Sequence, residues 1–342
     1  MIAADHPDVY IAVDIGGTTI KAITVGGNGR ILARRVEPTF GHASTALASV
    51  LSVLDDVLGD ARRAGHRPQA MGVCAPGTVD AERGVVTFAA NLGWQDLSLA
   101  STLSSRYALP VRVDHDARAA ASAEFRGRGA FPNSDVLFVP LGTGVSAAVI
   151  SAGTLARGAT GSAGELGHVI VRPGGEPCLC GQSGCVEAYA GATSILRRYR
   201  AGGGTAESVQ EIAEGIPDDD LAATVWNDAV DALAHGLHGA IAVLDPGLIV
   251  LGGGLSQAGD VLVGALRARL QELLTWRPVP EIAVSVLASF GGIIGATLLV
   301  ADHFAEDEIR TLIHDLADEH TSLPVQPSVD GGSIGTRTPT RR

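Results

Sequence analysis

Two stretches of this chain repeat one pattern, a strand, a glycine turn and a second strand. VYIAVDIGGTTIKAITV covers residues 9–25, and DVLFVPLGTGVSAAVI covers residues 135–150. The apolar residues on both sides predict buried strands, and the glycines between them predict tight turns. The second stretch restarts the layout of the first, which suggests an internal duplication.

The segments between and after these stretches alternate strands with helices, so the sequence predicts an α/β fold. A Pro-, Gly-, Ser- and Thr-rich end without periodicity, within residues 305–342, is predicted to be disordered after an acidic helix. The predicted strands are 30–37, 70–76, 109–116, 247–256 (with its glycine turn) and 281–287, and the predicted helices are 43–64, 117–126, 191–200, 206–214, 218–243, 259–275 and 291–304.

Composition excludes several classes of protein. At 342 residues and 46% hydrophobic content, the chain is long enough for two domains. It has no apolar run of about 18 residues, so we expect no membrane span. The net charge of −12 disfavours a nucleic-acid surface, and Lys21 is the only lysine. The N-terminus lacks the pattern of a signal peptide, which predicts a cytoplasmic protein.

Three of the four cysteines lie within eight residues, and a histidine precedes them. A disulfide or free thiols, a catalytic metal and a structural metal are the possible explanations. The spacing His168-x9-Cys178-x-Cys180-x4-Cys185 offers one nitrogen and three thiolates, a common set for tetrahedral zinc. Four protein ligands leave no position for water, so the sequence predicts a structural zinc ion. Cys74, alone in an apolar strand, is predicted to be a small buried thiol.

Three glycine turns follow apolar strands, in DIGGTTIK, LGTGVS and LGGGLS. Backbone amides at glycine turns can approach an anion closely, threonine hydroxyls add donors, and an aspartate can hold a magnesium-bound water. An ordinary hairpin is the alternative for each turn alone. Neither a Walker A loop nor a Rossmann fingerprint matches. The turns predict a nucleotide site formed by Asp14, Gly16, Gly17, Thr18, Thr19, Lys21, Gly142, Thr143, Gly144, Gly253 and Gly254.

The chain resembles the ROK family (repressors, open reading frames, kinases) over about residues 8–304. The resemblance rests on motifs in the family order: DIGGTTIKA, GVCAPGTVD, NLGW, DHDARAAASAE, GELGH, CLCGQSGCVE and LGGGLS. It implies two actin-like, ribonuclease H-like α/β domains with an active-site cleft between them. The domains would be residues 1–118, completed by a helix at 291–304, and residues 119–290. The first strand begins too early for a preceding winged helix, so a kinase is expected rather than a repressor.

The resemblance also implies a reaction and its residues. The family includes ATP-dependent sugar kinases, which use Mg²⁺ with ATP, and we expect a homodimer that binds neither nucleic acid nor membrane. Asp116 is the implied general base toward the 6-hydroxyl of a hexose such as glucose. Trp94 is expected to be wall or core. The implied sugar-binding residues are Gly77, Asn91, His115, Asp116, Glu165, His168 and Glu187, and zinc would fix the last three relative to one another.

One departure from the family pattern bears on the substrate. Family glucokinases usually have asparagine where this chain has His115, and a second asparagine where it has Arg118. A neutral histidine has one donor and one acceptor. An amino sugar or a sugar-like cyclitol is therefore an alternative substrate to glucose. A non-catalytic sugar-sensing regulator and a polyphosphate-dependent kinase are further alternatives, and the acidic composition disfavours both.

Overall fold

The structure is a computed structural model that describes residues 8–40, 43–127 and 135–318. Apolar alternation and turn glycines produce short strands throughout. The strands are β1 (Val9–Ile15), β2 (Thr19–Gly26), β3 (Ile31–Pro38), β4 (Pro68–Ala75), β5 (Thr78–Asp80), β6 (Val85–Ala89), β7 (Trp94–Leu97), β8 (Val111–His115), β9 (Val136–Pro140), β10 (Ala148–Ser151), β11 (Thr154–Leu155), β12 (Leu248–Gly252) and β13 (Glu281–Val284).

Helices connect these strands and cover the sheets. Most begin within two residues of the predicted position. The helices are α1 (Ser44–Arg63), α2 (Leu99–Tyr107), α3 (Asp116–Gly127), α4 (Glu187–Ala190), α5 (Ala192–Ala201), α6 (Val209–Gly215), α7 (Asp220–Leu244), α8 (Asp260–Leu273), α9 (Gly291–Leu298) and α10 (Glu306–Ala317). No helix in the described ranges combines the length and the apolar character that crossing a bilayer requires.

Two five-stranded sheets have the same topology. The first has the order β3-β2-β1-β4-β8 and the second the order β11-β10-β9-β12-β13. In each, three strands form an antiparallel meander and two more run parallel to its first strand. The predicted duplication is therefore confirmed at the level of topology. We refer below to residues 8–127 as the first half and residues 135–284 as the second half.

The structure contains a third sheet that the sequence pattern does not predict. Strands β5, β6 and β7 form a small antiparallel sheet between β4 and α2. These strands have three to five residues each and lie close to turn residues such as Gly84 and Gly93, so no window was long enough to give a period. Trp94 of β7 is buried in the core of the first half, as expected, and its Nε1 donates to the Ala43 carbonyl.

Helix α3 connects the two halves and contacts both. Its Ala119 and Ala123 pack with α9 against the first sheet, while Ala120 and Ala121 pack against Phe138 and its neighbours in the second. Alanine side chains permit this close approach on two faces. Cys74 is fully buried in the same region, as predicted.

The helix predicted over 291–304 is shorter than expected. It ends at Leu298, and the chain turns so that Phe304 packs edge-on against Tyr10 of β1. A new acidic helix, α10, then begins, and the Glu308 carboxylate accepts a hydrogen bond from the Ala305 amide. The prediction was wrong because burial of Phe304 interrupts a segment whose composition alone favours a helix. The predicted acidic helix is confirmed, and the predicted disordered end falls on residues outside the described ranges.

Candidate active site and metal centre

A cleft of about 340 Å³ lies where parallel strands of both sheets end. Strands β1 and β8 of the first half and β9 and β12 of the second direct their carboxyl ends toward it. Most of the predicted site residues line it. Among them are Asp14, Gly16, Gly17, Lys21, Gly77, Asn91, His115, Asp116, Gly142, Thr143, Gly144, Glu165, His168, Glu187, Gly253 and Gly254, whereas Thr18, Thr19 and the three clustered cysteines are not part of its lining.

The first two glycine turns face each other across the cleft. Thr18 Oγ1 lies 3.2 Å from Thr143 Oγ1, and a Cβ added to Gly17 would lie 3.3 Å from the Thr143 methyl group. The third turn packs behind the second: Gly253 has a φ of 77°, and Leu255 donates to the Leu141 carbonyl at 3.0 Å. The close packing of neighbouring atoms around Gly17 and Gly253, and the positive φ of Gly253, explain why both positions are glycine. Backbone amides of three turns therefore converge at one end of the cleft.

Asp14 is the second-last residue of β1 and lies at this end of the cleft. Burial raises the pKa of its carboxyl to about 6, Lys21 opposes the rise, and Asp116 adds to it. The Lys21 ammonium lies 3.9 Å from the carboxylate and donates to the Ser289 carbonyl at 2.8 Å. A Cβ on Gly292 would lie 2.6 Å from the same carboxylate. Sequence reasoning missed Ser289 and Gly292, and the Gly-Gly pair that opens α9 was the available signal.

Asp116 is the first residue of α3. Its Oδ1 accepts the amide of Ala117 at 2.6 Å, and its side chain is 35% exposed into the cleft. Desolvation raises the pKa of this carboxyl to about 6, and the amide hydrogen bond opposes the rise. The group is therefore mostly ionised at neutral pH yet basic enough to accept a proton.

His115 lies beside Asp116 and is buried, with 3% of its side chain exposed. Its Nε2 is 3.2 Å from Asp116 Oδ1. Burial, followed by the charge of Arg118, lowers the pKa of the imidazole to about 4, so the ring is neutral at physiological pH. Its Nδ1 has no hydrogen-bond partner among the residues that the structure describes. A buried polar atom in this state costs free energy unless a ligand satisfies it.

The Glu187 carboxylate lines the cleft and also contacts the second glycine turn. Its Oε2 accepts the amide of Val145 at 2.9 Å, and a Cβ on Gly144 would collide with the carboxylate. Glu187 begins helix α4, two residues after Cys185. The position of the carboxylate therefore depends on the loop that carries the cysteines.

The four predicted metal ligands come together in that loop. The ligand atoms of His168, Cys178, Cys180 and Cys185 all lie within 4.8 Å of one another. Cys178 Sγ is 3.9 Å from His168 Nδ1, and Cys180 Sγ is 3.8 Å from Cys185 Sγ. Ligand sulfurs around tetrahedral zinc are separated by roughly 3.8 Å, as follows from bonds of about 2.3 Å. All cysteines are free thiols, so the disulfide alternative is not realised. The donor set and spacing fit zinc.

His168 faces two ways. Its Nδ1 points toward the cysteines, and its Nε2 lies 3.8 Å from Glu165 Oε2 in the cleft. A metal on Nδ1 would place the ring proton on Nε2, where it can be donated into the cleft. One side chain can thus contact both the metal centre and the cleft.

The base of the cysteine loop is anchored independently of the metal ligands. The guanidinium groups of Arg172 and Arg198 lie 4.6 Å and 5.0 Å from the centre of the Tyr189 ring, on geometry suited to cation–π contact. Both arginines also pair with Asp228 of α7, and Arg172 pairs with Asp231. The loop therefore has a fixed base on α7 and a tip at the cysteines.

Comparison with known proteins agrees with this geometry. A family model described as the ROK family matches residues 10–303. Glucokinase of Streptomyces coelicolor is 33% identical over 313 residues, covering 85% of this chain and 97% of that protein. N-acetylmannosamine kinase of Escherichia fergusonii is 30% identical over 298 residues, with 84% and 97% covered.

A solved structure gives the same result. A ROK family glucokinase from Streptomyces griseus, in complex with glucose and AMPPNP, superposes with a TM-score of 0.74 at 31% identity, covering 85% of this chain and 98% of that one. The similarity confirms the predicted fold of two actin-like, ribonuclease H-like domains with a cleft between them. From the family match, the relatives and the fold together, the chain belongs to the ROK family.

Proposed function

We propose that the protein is an ATP-dependent hexose kinase that transfers the γ-phosphate of ATP to the 6-hydroxyl of glucose or a close analogue. One observation carries the proposal: the Asp116 carboxylate lies in a single cleft between converging glycine turns and a cluster of polar side chains. The similarity to glucokinases, one of them solved with glucose and AMPPNP, supports it.

Asp116 acts as the general base. Its Oδ1 is engaged by the Ala117 amide, so Oδ2 remains to accept the proton of the attacking hydroxyl. A pKa of about 6 leaves the carboxylate ionised at neutral pH. The pKa is also close to the pH at which the enzyme works, which suits a general base. Phosphoryl transfer depends mainly on positioning and charge neutralisation, so the base contributes one part of the rate.

The glycine turns bind the phosphates of ATP through their amides, and the Thr18 and Thr143 hydroxyls stand between the first two turns. Asp14 is the residue that would hold Mg²⁺, directly or through water, because a hard cation prefers carboxylate oxygen. When bound, Mg²⁺ supplies positive charge to the phosphate oxygens. Lys21 adds a fixed positive charge 3.9 Å from Asp14.

The sugar end is formed by His115, Glu165, His168 and Glu187, together with Asn91 and Gly77. Ionised carboxylates accept hydrogen bonds from hydroxyl groups, and a neutral imidazole can accept one and donate one. Zinc, held by His168 and the three cysteines, would be structural, since all four positions around it are taken by protein. Its effect is to fix Glu165, His168 and Glu187 relative to one another.

A second candidate substrate, an amino sugar or a sugar-like cyclitol, is favoured by His115. The imidazole is neutral, and its buried Nδ1 lacks a partner among the described residues. With its proton on Nε2 toward Asp116, the ring presents only an acceptor, which takes a hydroxyl or an N–H group. N-acetylmannosamine kinase is among the relatives that match along nearly their whole length.

A coupled assay of ADP release over hexoses, amino sugars and cyclitols tests the proposal. We expect turnover with at least one hexose or amino hexose and a dependence on Mg²⁺. Sugar binding without turnover for any compound would replace the kinase with a sugar sensor.

We also propose a homodimer. Val169 and Ile170, next to each other on the metal-binding loop, are exposed apolar side chains. Adjacent exposed apolar side chains can contribute to a protein interface. Light scattering coupled to size exclusion gives the mass directly, and a monomer at micromolar concentration would contradict the proposal.

A further inference from the structure

A buried arginine next to the candidate base connects the two walls of the cleft. Arg118 lies on the first turn of α3 with 1% of its side chain exposed. It does not line the cleft. A buried guanidinium is strongly unfavourable unless its donors are satisfied, so its partners are held close to it. We propose that Arg118, Asp114 and Arg157 form a latch that holds the sugar end of the cleft closed, an inference that rests on the proposed kinase function.

The guanidinium of Arg118 donates to both halves of the molecule. In the first half, Nε donates to Asp114 Oδ1 at 2.8 Å and Nη2 to the Val79 carbonyl at 2.9 Å. In the second half, Nη1 donates to the Gly161 carbonyl at 2.7 Å. The last hydrogen bond joins the two halves. Hydrogen bonds from a charged donor are among the stronger ones in proteins.

A second charged contact joins the two halves, with the arginine on the second half and the carboxylate on the first. Arg157 of the second half lies with Nη1 3.1 Å from Asp114 Oδ2, and its side chain is 50% exposed. The two arginines thus share one carboxylate, one oxygen each. Asp114 Oδ1 also accepts the backbone amide of His115 at 2.7 Å. The carboxylate therefore joins both contacts between the halves to the backbone of His115, one of the residues proposed to bind sugar.

The backbones of the two halves also touch at the latch. Gly161 has a φ of 79°, and a Cβ added there would lie 2.7 Å from the Val79 carbonyl oxygen. A side chain at this position would separate the two walls. Glycine permits both the backbone conformation and the contact.

The latch lies next to the residues proposed to bind sugar. Asp114 and Arg118 flank His115 and Asp116 in the sequence, and Gly161 is four residues before Glu165. Its closure therefore sets the distance between the base on one wall and Glu165 on the other. Arg118 is a positioning residue, because it acts through these neighbours and does not touch the substrate.

This geometry makes a kinetic prediction. Loss of the latch lowers the population of the closed form, and the apparent affinity for sugar falls by the same fraction. Once sugar and ATP are bound and the cleft is closed, the reacting groups are unchanged. KM for the sugar should therefore rise while kcat changes little. A merely structural arginine would instead lower stability and active concentration, leaving KM as it was.

Two latch variants and one matched control test the inference in the full-length protein. Arg157→Ala removes a half-exposed side chain, and Arg118→Lys keeps the buried charge but loses the forked donors. We expect Arg118→Lys to raise the sugar KM about 10-fold or more, the scale of a lost charged hydrogen bond, and Arg157→Ala by a smaller factor. Arg112→Ala, from the same strand as Asp114, pairs with Leu299 and Asp302 away from the cleft and should leave KM unchanged.

Hydrogen exchange without sugar gives a readout that does not need activity. Amides of residues 157–165 should exchange faster in Arg157→Ala and Arg118→Lys than in the native protein and in Arg112→Ala. Unchanged KM and unchanged exchange in the latch variants would overturn the inference. If Arg118→Lys does not fold, Arg157→Ala alone decides. If the native protein phosphorylates no sugar, the kinase proposal fails, and exchange still decides whether the latch exists.

Discussion

The two halves of the molecule have the same sheet topology but carry different chemistry. In the first half, β1 carries Asp14 next to its last residue and β2 carries Lys21, so the glycine turn between them is flanked by two charges. In the second half, Pro140 stands two residues before Gly142, where Asp14 stands two residues before Gly16. The second turn therefore offers amides and hydroxyls but no charge.

The length of the meander strands also differs. Strands β1 to β3 have seven, eight and eight residues, whereas β9 to β11 have five, four and two. After the short β11 the chain leaves the sheet and forms the loop that reaches Val79 and carries the metal ligands. The comparison teaches that two sheets of the same topology can carry different groups: the turn of the first half is flanked by Asp14 and Lys21, and the long loop of the second half carries the predicted metal ligands.

Removing the base should give the largest effect and affect kcat alone. Asp116→Asn keeps the shape and the Ala117 hydrogen bond but cannot accept a proton. We expect sugar binding to persist while kcat falls by at least ~10²-fold, the usual scale for loss of a general base. Steady-state kinetics and sugar titration measure both. Asp96→Asn, exposed in the first half with a φ of 47° that asparagine tolerates, is the control. Near-normal turnover in Asp116→Asn would show that Asp116 is not the general base.

Loosening the metal loop should instead act on sugar affinity and stability together. Cys180→Ser removes one of four predicted zinc ligands, so the tip that positions Glu187 and His168 becomes mobile. Native protein should contain one equivalent of zinc by elemental analysis, and the variant less. We expect the sugar KM to rise about 10-fold or more, the scale of damage around metal ligands.

Cys74→Ala is the control for the metal loop, since this buried thiol lies outside the cluster. It should retain zinc and sugar affinity. A native protein that contains no zinc, with fold and activity intact, would show that the second half does not need a metal.

His115→Asn sharpens the comparison, because this residue of the first half lies in the proposed sugar end, to which both halves contribute residues. The substitution restores the commoner family pairing and adds an amide donor. We expect kcat/KM for glucose to rise relative to that for the native substrate, since a polar site discriminates by leaving mismatched groups unpaired. Ratios of kcat/KM for glucose and a panel of analogues measure the effect. An unchanged ranking of substrates would mean that His115 has no part in specificity.

The smallest expected effect is a pH-dependent gain in stability. The pKa of Asp116 rises from 3.8 to about 6 on folding, so its ionised form disfavours the folded state. As pH rises from about 4 through 6, ionisation of Asp116 therefore lowers the free energy of unfolding of the native protein. Asp116→Asn has no carboxyl at this position and does not lose stability in this way. The variant should therefore have a higher Tm than the native protein at about pH 8, with the difference shrinking toward pH 4. A pH-independent difference would contradict the raised pKa.

The sequence predicted the features that depend on local residues. Strand–turn–strand units, the cysteine spacing and the family motifs placed the cleft residues and the metal ligands before any coordinates. The position of Asp14 beside Gly292, 278 residues later, depends on how α9 packs onto the first sheet. The same holds for Arg118, whose partners Val79 and Gly161 come from other segments. Such contacts are set by tertiary packing, and no local pattern encodes them.

Lys21 is the only lysine in the chain, and it lies on the wall of the cleft. Amine-directed reagents, which scatter label over the surface of most proteins, therefore find a single side-chain target here. An acyl group on this amine removes its positive charge. Since we propose that nucleotide binds beside Lys21, we expect labelling of this amine to fall as nucleotide occupies the cleft, and mass spectrometry can read it from one peptide.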